Sequence, residues 1–407
     1  NIVFENLAEY ADLWDWPVLV KSVFTKEDLS IDSFLPTIAT IISLKDENLK
    51  SSLWNAITRR FNLEELYGLV HYTRTLSEYQ ILFSWDLSYI YNHEDFNLSE
   101  YIEQYSEDVD WELLSKSKSA ERFFFYDKTI LSFQKWLEMV KSLLYNPKYD
   151  WNFYALSQNE AINWHHAILK IHTDEWDWEY LSKYSRCFSS YASKEQANLS
   201  KNIKQFKNVL DFDILSNRTD IIFNDALLKD FLDQDWNWRT ISASEKLSVS
   251  NQFIIDNQEK DWDWGILSQG QQLIIDKSLL ESTKQKAWDW KSLSSNKKLK
   301  VSLKELLSLN ITNWDWNVLS GRHDIAFDNE TFLSTLDKAY ISWDWLLLSS
   351  RTDLQYNDDL IMKLWQKPMD WKSVSRMSTF TPTVNVLSKI SDFELDWDAI
   401  SENKFLS

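Results

Sequence analysis

One string recurs along this chain and constrains its fold more than any other feature. It reads "WDWGILS" at 262–268 and "WDWKSLS" at 288–294. With the second aromatic as position zero, the strongest copies fall at Trp238, Trp264, Trp290, Trp316, Trp345, Trp371 and Trp397. Five of those six spacings are 26 residues and the other is 29. Weaker copies run backward through Phe212, Trp178, Phe153, Trp111, Leu87, Leu63, Ala39 and Trp16, which makes fifteen units. Single hydrophobic cores stop growing at roughly 250–300 residues, so a chain of 407 needs several domains or a repeating design. Self-similarity at this period marks a repeat architecture.

Position −1 is Asp or Asn in fourteen of the fifteen units, with Ile38 the exception. Position +3 is Leu, Ile or Val in all fifteen, and +4 is Ser in twelve. An acid or amide before an apolar residue, with another apolar residue three on, is a helix start. With Asp289 as N-cap, Trp288 and Leu293 become N′ and N4, the pair that makes a hydrophobic staple. Trp290 is then left to point into the neighbouring repeat. Position +12 repeats the device: it is Ser, Thr, Asp or Asn in twelve of fourteen units, and fails at Phe123 and His165. Ser302-x-x-Glu305 and Thr75-x-x-Glu78 have the form of capping boxes. Each unit is expected to hold a first helix of one to two turns, an extended link near +9 to +11, and a second helix of about ten residues.

These elements predict an all-α chain, an α-solenoid of about fifteen two-helix repeats of 23–26 residues, curved or superhelical. At ~8–10 Å between packed helices its contour would exceed roughly 100 Å. Residues 1–115 read as degenerate repeats of about 24 residues, 116–210 as irregular repeats with a helical insertion ("AERFFFYDKTILSFQKWLEMVKSLLY"), and 211–407 as regular 26-residue repeats. The last unit breaks off after Ile400-Ser401, which suggests that the parent protein continues. Four glycines and five prolines are too few for a protein built on tight β-turns.

The tandem WDWxxLS string resembles that of tryptophan-rich repeat proteins of bacteria and giant viruses. The likeness is specific over about 176–407 and degenerate over 1–110. It implies a repeat scaffold and assigns no chemistry.

A search for chemistry finds little. The four glycines, Gly68, Gly265, Gly270 and Gly321, build no phosphate-binding loop, and there is no GxSxG elbow. His165, His166 and His172 lie near Asp174 and Glu175, but on one helix His165 and His172 would sit about 10 Å apart, too far to share a metal. No catalytic, cofactor-binding or metal residue is assigned, and no cofactor is expected. The single cysteine, Cys187, excludes an intrachain disulfide, reads as a packed thiol and fits a reducing, cytoplasmic setting. No apolar run is long enough for a bilayer, so no membrane partner is expected.

Two sets of residues could face a partner. "NRTD", "GRHD" and "SRTD" place Arg218 and Asp220, Arg322 and Asp324, and Arg351 and Asp353 at one offset from position zero. They form either turns tying adjacent repeats or a row presented to a protein. Lys284, Lys286, Lys291, Lys297, Lys298 and Lys300 form a basic strip, read either as a solvated helix face or as a nucleic-acid contact. A net charge of −19 disfavours nucleic acid and favours basic or neutral partners. The leading expectation is a non-enzymatic scaffold or sensor module recognising another protein, as part of a larger bacterial protein or complex with a defence role. The alternatives are a solenoid engaging nucleic acid through the lysine strip, and an accessory domain of an enzyme with a site in 116–210 using His165 or His166 as base.

Overall fold

The computed structural model describes residues 86–402, apart from 106–108, 125–131, 163 and 192–198, together with scattered positions between 48 and 70. The units centred on Trp16 and Ala39, and the Thr75–Glu78 box, lie outside the described residues. The chain divides into two compact units, Asn1–Leu210 and Asp211–Ser407. Among the described residues it is mostly helical, with 24 α-helices, one 3-10 turn and four two-residue strands. No helix of the described residues is long and apolar enough to cross a membrane.

The first helix of each repeat starts at position zero, as in Trp264–Gln269 and Trp290–Ser295. Its cap is the residue at −1: Asp263 accepts the Ile266 N–H, Asp289 that of Ser292, and Asn237 that of Thr240. Each cap satisfies one of the free N–H groups of the first turn. The serine at +4 lies in the last turn of this short helix. Ser268 Oγ donates to the Trp264 carbonyl at 2.7 Å, a back-bond that competes with continuation of the backbone ladder.

That same serine joins consecutive repeats. Its oxygen accepts the backbone N–H at −1 of the next repeat: Asn237 to Ser216, Asp263 to Ser242, Asp289 to Ser268, Asp315 to Ser294 and Asp370 to Ser349, all at 2.8–3.0 Å. The relay persists in the irregular region, from Asn152 to Ser115 at 3.2 Å and from Asp177 to Ser157 at 2.9 Å. Further back, Asp110 donates to the Tyr91 hydroxyl instead. Asp86 donates to Thr58, which itself donates to the Trp54 carbonyl. Trp54 and Thr58 therefore occupy the zero and +4 places, not Leu63 and Tyr67. The start of this repeat lies nine residues before the place that the 24-residue spacing predicts.

The tryptophans pack between repeats. Where the following motif opens on Trp, the position-zero ring meets it edge-on. Trp238 meets Trp262 at 4.8 Å, Trp264 meets Trp288 at 4.9 Å, and Trp290 meets Trp314 at 5.0 Å between centroids. This arrangement sets the positive ring edge against the negative face. In some repeats the first Trp is also hydrogen-bonded to the end of the preceding helix: Trp236 Nε1 donates to the Phe231 carbonyl and Trp288 Nε1 to Thr283 Oγ1. The second Trp thus points into the neighbouring repeat, as expected, and the first Trp of that repeat meets it there.

The links form short parallel pairs between neighbours, Phe223–Asn224 with Leu247–Ser248 and Ile275–Asp276 with Leu299–Lys300, with a single bridge between Tyr356 and Phe380. In each, position +11 of one repeat meets +9 of the next. The second helices are shorter than expected. Asn251–Asp256, Lys277–Thr283 and Asn329–Leu333 have six, seven and five residues, because the chain must turn back to place the next Trp-Asp-Trp. Their caps at Ser250, Asp276 and Asp328 form as expected, and Ser302 with Glu305 makes a full capping box. Thr383 makes no side-chain cap bond. Ser99 lies inside its helix, capped by Asn97 instead. His165, which breaks the sequence rule, caps with Nδ1 accepting the Ala167 N–H at 3.1 Å. The expected insertion helix is broken into Lys118–Phe124 and Phe133–Leu144, the latter opened by Ser132.

Candidate functional site

The Arg-x-Asp motifs form local forks. Arg351 donates through Nε and Nη2 to the two oxygens of Asp353 at 2.9 and 2.6 Å, and Arg322 and Arg218 hold Asp324 and Asp220 likewise. The Arg322 guanidinium holds the Asp324 carboxyl below its ordinary range. The remaining donors of two arginines reach into the preceding repeat. Arg322 donates to the carbonyls of Ser294 and Leu299, and Arg351 to those of Arg322 and Ile325. Arg351 also lies 3.6 Å above the Phe327 ring. The arginine side chains are 6%, 10% and 0% exposed at 218, 322 and 351. Their guanidinium groups are therefore not a row on the surface. In the repeats of Arg322 and Arg351 they are ties between neighbours, and the three carboxylates are the part left half in solvent.

These arginines occupy position +6, and the same position does the same work with a different side chain elsewhere. Asn296 Nδ2 donates to the carbonyls of Ser268 and Gly270, and Asn159 Nδ2 to those of Ser115 and Ser117. Sequence reasoning missed this inter-repeat clamp because Arg and Asn share no obvious class. Aligning on +6 and asking only for a donor that can fork would have found it.

The lysine strip is dispersed. Lys291 is exposed on a first helix, Lys284 is exposed just past the end of a second, and Lys297 is exposed in the turn between. Lys286 and Lys298 are half-buried, while Lys300 lies exposed in a strand pair. Lys286 pairs with Glu259 at 2.9 Å and Lys300 with Asp324 at 3.9 Å. These ion pairs lower the charge available to a phosphate backbone.

The histidines do not share one helix. His166–Leu169 is a four-residue helix, and His172 lies beyond it with φ of 49°, packed on Phe153 at 4.7 Å and paired with Glu175 at 2.9 Å. The His165 and His166 rings lie tilted against each other, 4.1 Å between centroids. Burial, with His165 beside it, pushes the His166 imidazole down to about 4. Among the described residues no group of three His, Cys, Asp or Glu side chains is placed to hold a metal. Cys187 is buried, its carbonyl accepting from Asn202.

Two open grooves lie at the same register between repeats. One, of about 320 Å³, runs between the Phe212 and Trp238 repeats and is lined by residues including Ser216, Thr219, Ser244 and Glu245. The other, of about 260 Å³, runs between the Phe153 and Trp178 repeats and is lined by residues including Ser157, Glu160, Trp164, Tyr180, Tyr184 and Arg186. At both, position +6 of the following repeat is neither Arg nor Asn but Ser244 or Tyr184. Each of these two grooves lies at a junction without the Arg or Asn clamp.

Comparison with family models, with curated proteins and with solved structures returned no match to this chain.

Proposed function

We propose that this chain is a non-enzymatic α-solenoid of about fifteen repeats that recognises another protein, as a scaffold or sensor module within a larger bacterial, cytoplasmic assembly. The observation that carries this reading is the sameness of the junctions. The serine at +4 accepts the N-cap amide of the next repeat from Ser115 to Asn152 and again from Ser375 to Asp396. A chain whose polar side chains are spent on repeat-to-repeat bonds has a stacking design, and stacked repeats offer an extended surface to a partner. The side chains that looked most like chemistry support the same reading. The arginines tie turns and His165 caps a helix. The charge of −19 suits a partner with basic segments.

The test is affinity capture from cells of the source, followed by amide hydrogen exchange on the purified complex. The expected result is one stoichiometric protein partner, with protection spread over several consecutive repeats. Salt-sensitive capture of nucleic acid, lost when Lys297, Lys298 and Lys300 are changed to Glu, would overturn the reading.

A further inference from the structure

We propose that the groove between the Phe153 and Trp178 repeats binds an arginine side chain of a partner protein, its guanidinium held between the Ser157 carbonyl, the Glu160 carboxylate and the Tyr180–Tyr184 ring pair. The inference rests on the scaffold reading and names the chemistry the scaffold recognises.

The chain supplies its own template. At the junction of the Trp290 and Trp316 repeats, the +6 side chain Arg322 donates to the +4 carbonyl of the preceding repeat, Ser294, at 3.0 Å. Asn296 does the same to Ser268 and Asn159 to Ser115. The Phe153–Trp178 groove is lined at the same offsets: Ser157 is at +4 of one repeat and Tyr184 at +6 of the next. Tyr184 does not fill the clamp position. It is 54% exposed and packs against Tyr180 with centroids 4.6 Å apart. The space that Arg322 and Arg351 fill elsewhere from within is left open here as a groove of about 260 Å³.

The lining has the groups a guanidinium selects. Glu160 is exposed, so its carboxylate can offer an ion pair. It also acts on the Tyr180 hydroxyl, which places an acid beside the ring pair. Paired tyrosine rings give a π-face for a planar cation, and a fork of N–H donors matches carbonyl and carboxylate together where an ammonium cannot. Trp164, 3% exposed, forms part of the apolar wall of the groove. Two cations of the chain oppose the ligand: Arg186 in the lining, and Lys183, whose ammonium lies 5.0 Å from the centre of the Tyr184 ring and must give way to the guanidinium.

The test uses the full chain titrated with the capped peptide acetyl-Ala-Arg-Ala-amide, and with its lysine and citrulline counterparts, followed by tryptophan fluorescence and NMR. The arginine peptide is expected to bind about tenfold more tightly than either counterpart. Glu160→Gln on the exposed rim should weaken it about tenfold, and Arg186→Ala should tighten it. The double variant Tyr184→Arg/Arg186→Asp rebuilds the chain's own Arg-x-Asp fork in the groove and should abolish binding while raising the melting temperature. Equal binding of the lysine peptide, or unchanged binding by Glu160→Gln, overturns the proposal. Failure of all three peptides while a stoichiometric partner is still captured removes the arginine pocket and leaves the scaffold reading standing.

Discussion

Ser268 Oγ donates to the Trp264 carbonyl at 2.7 Å and accepts the Asp289 backbone N–H at 2.9 Å. One hydroxyl thus closes a helix in its own repeat and fixes the start of the next helix. Ser268→Ala leaves the Asp289 amide without its acceptor at a part-buried position. A loss of about 1–3 kcal/mol is expected by urea unfolding. Amide exchange at Asp289 should quicken, while Ser268→Thr should retain protection, since Thr58 performs the same relay. The exposed Ser295→Ala is the control, expected within about 0.5 kcal/mol of the parent.

The Trp264–Trp288 pair predicts non-additive losses. Either Trp→Ala should cost about 3–5 kcal/mol. The double variant should cost less than the sum, by about 0.5–1.5 kcal/mol for the edge-to-face contact. Trp264 and Trp314, which belong to different junctions, should give additive values. A full double-mutant cycle by chemical denaturation measures both.

Arg351 is fully buried and donates to Asp353 and to two carbonyls of the preceding repeat. Arg351→Met should destabilise by about 3–5 kcal/mol. Arg351→Lys should recover little of that, since an ammonium cannot serve the fork and the carbonyls together. Thermal melting of the two variants against the parent decides it.

The caps predict an acid limb. Hydrogen bonds from Ser292 and Ser373, through hydroxyl and backbone alike, hold the Asp289 and Asp370 carboxyls below 3.8, and those from Thr331 do so for Asp328. A carboxyl depressed in the folded state adds stability above its unfolded value and loses it as pH falls through the folded one. The contribution of these caps should therefore be level above about pH 5 and fall from about pH 4 downward. Asp289→Asn/Asp370→Asn should keep the caps, as Asn237 does, and flatten that limb.

His166 predicts a second limb at higher pH. Its imidazole is held neutral down to about 4 in the folded chain, against 6.5 unfolded. The unfolded state thus binds the proton first, and stability should fall as pH drops from about 6.5 toward 4. His166→Gln should remove this dependence, read as the melting temperature against pH.

The first helices were legible because one motif carries all their signals: Asp289 caps, Trp290 opens the helix and Leu293 is buried at 0%. Helix type and caps are local properties, and 26-residue spacing repeats them. The role of Ser268 was not legible, since its partner is 21 residues away and a serine after a leucine has many local uses. The +6 clamp was hidden for the same reason, as Arg351 and Asn296 look unrelated until both are seen reaching backward. The short parallel pairs were half visible: the links read as extended, but pairing between +11 and +9 is fixed by stacking. The groove beside Tyr184 could not be read at all, because it is defined by a side chain that does not fill a place.

The one 29-residue spacing shows where the chain can lengthen. Trp288 Nε1 meets Thr283 Oγ1 five residues back, and Trp343 Nε1 meets Thr335 Oγ1 eight residues back, both at 3.0 Å. Across the same interval Asp344 still reaches Ser320 at 3.0 Å. Three surplus residues are looped out at this elbow and their flanks do not register them. Such an elbow is a splice point: it lets one copy gain reach or a new surface feature while the pitch of the stack on either side stays as it was.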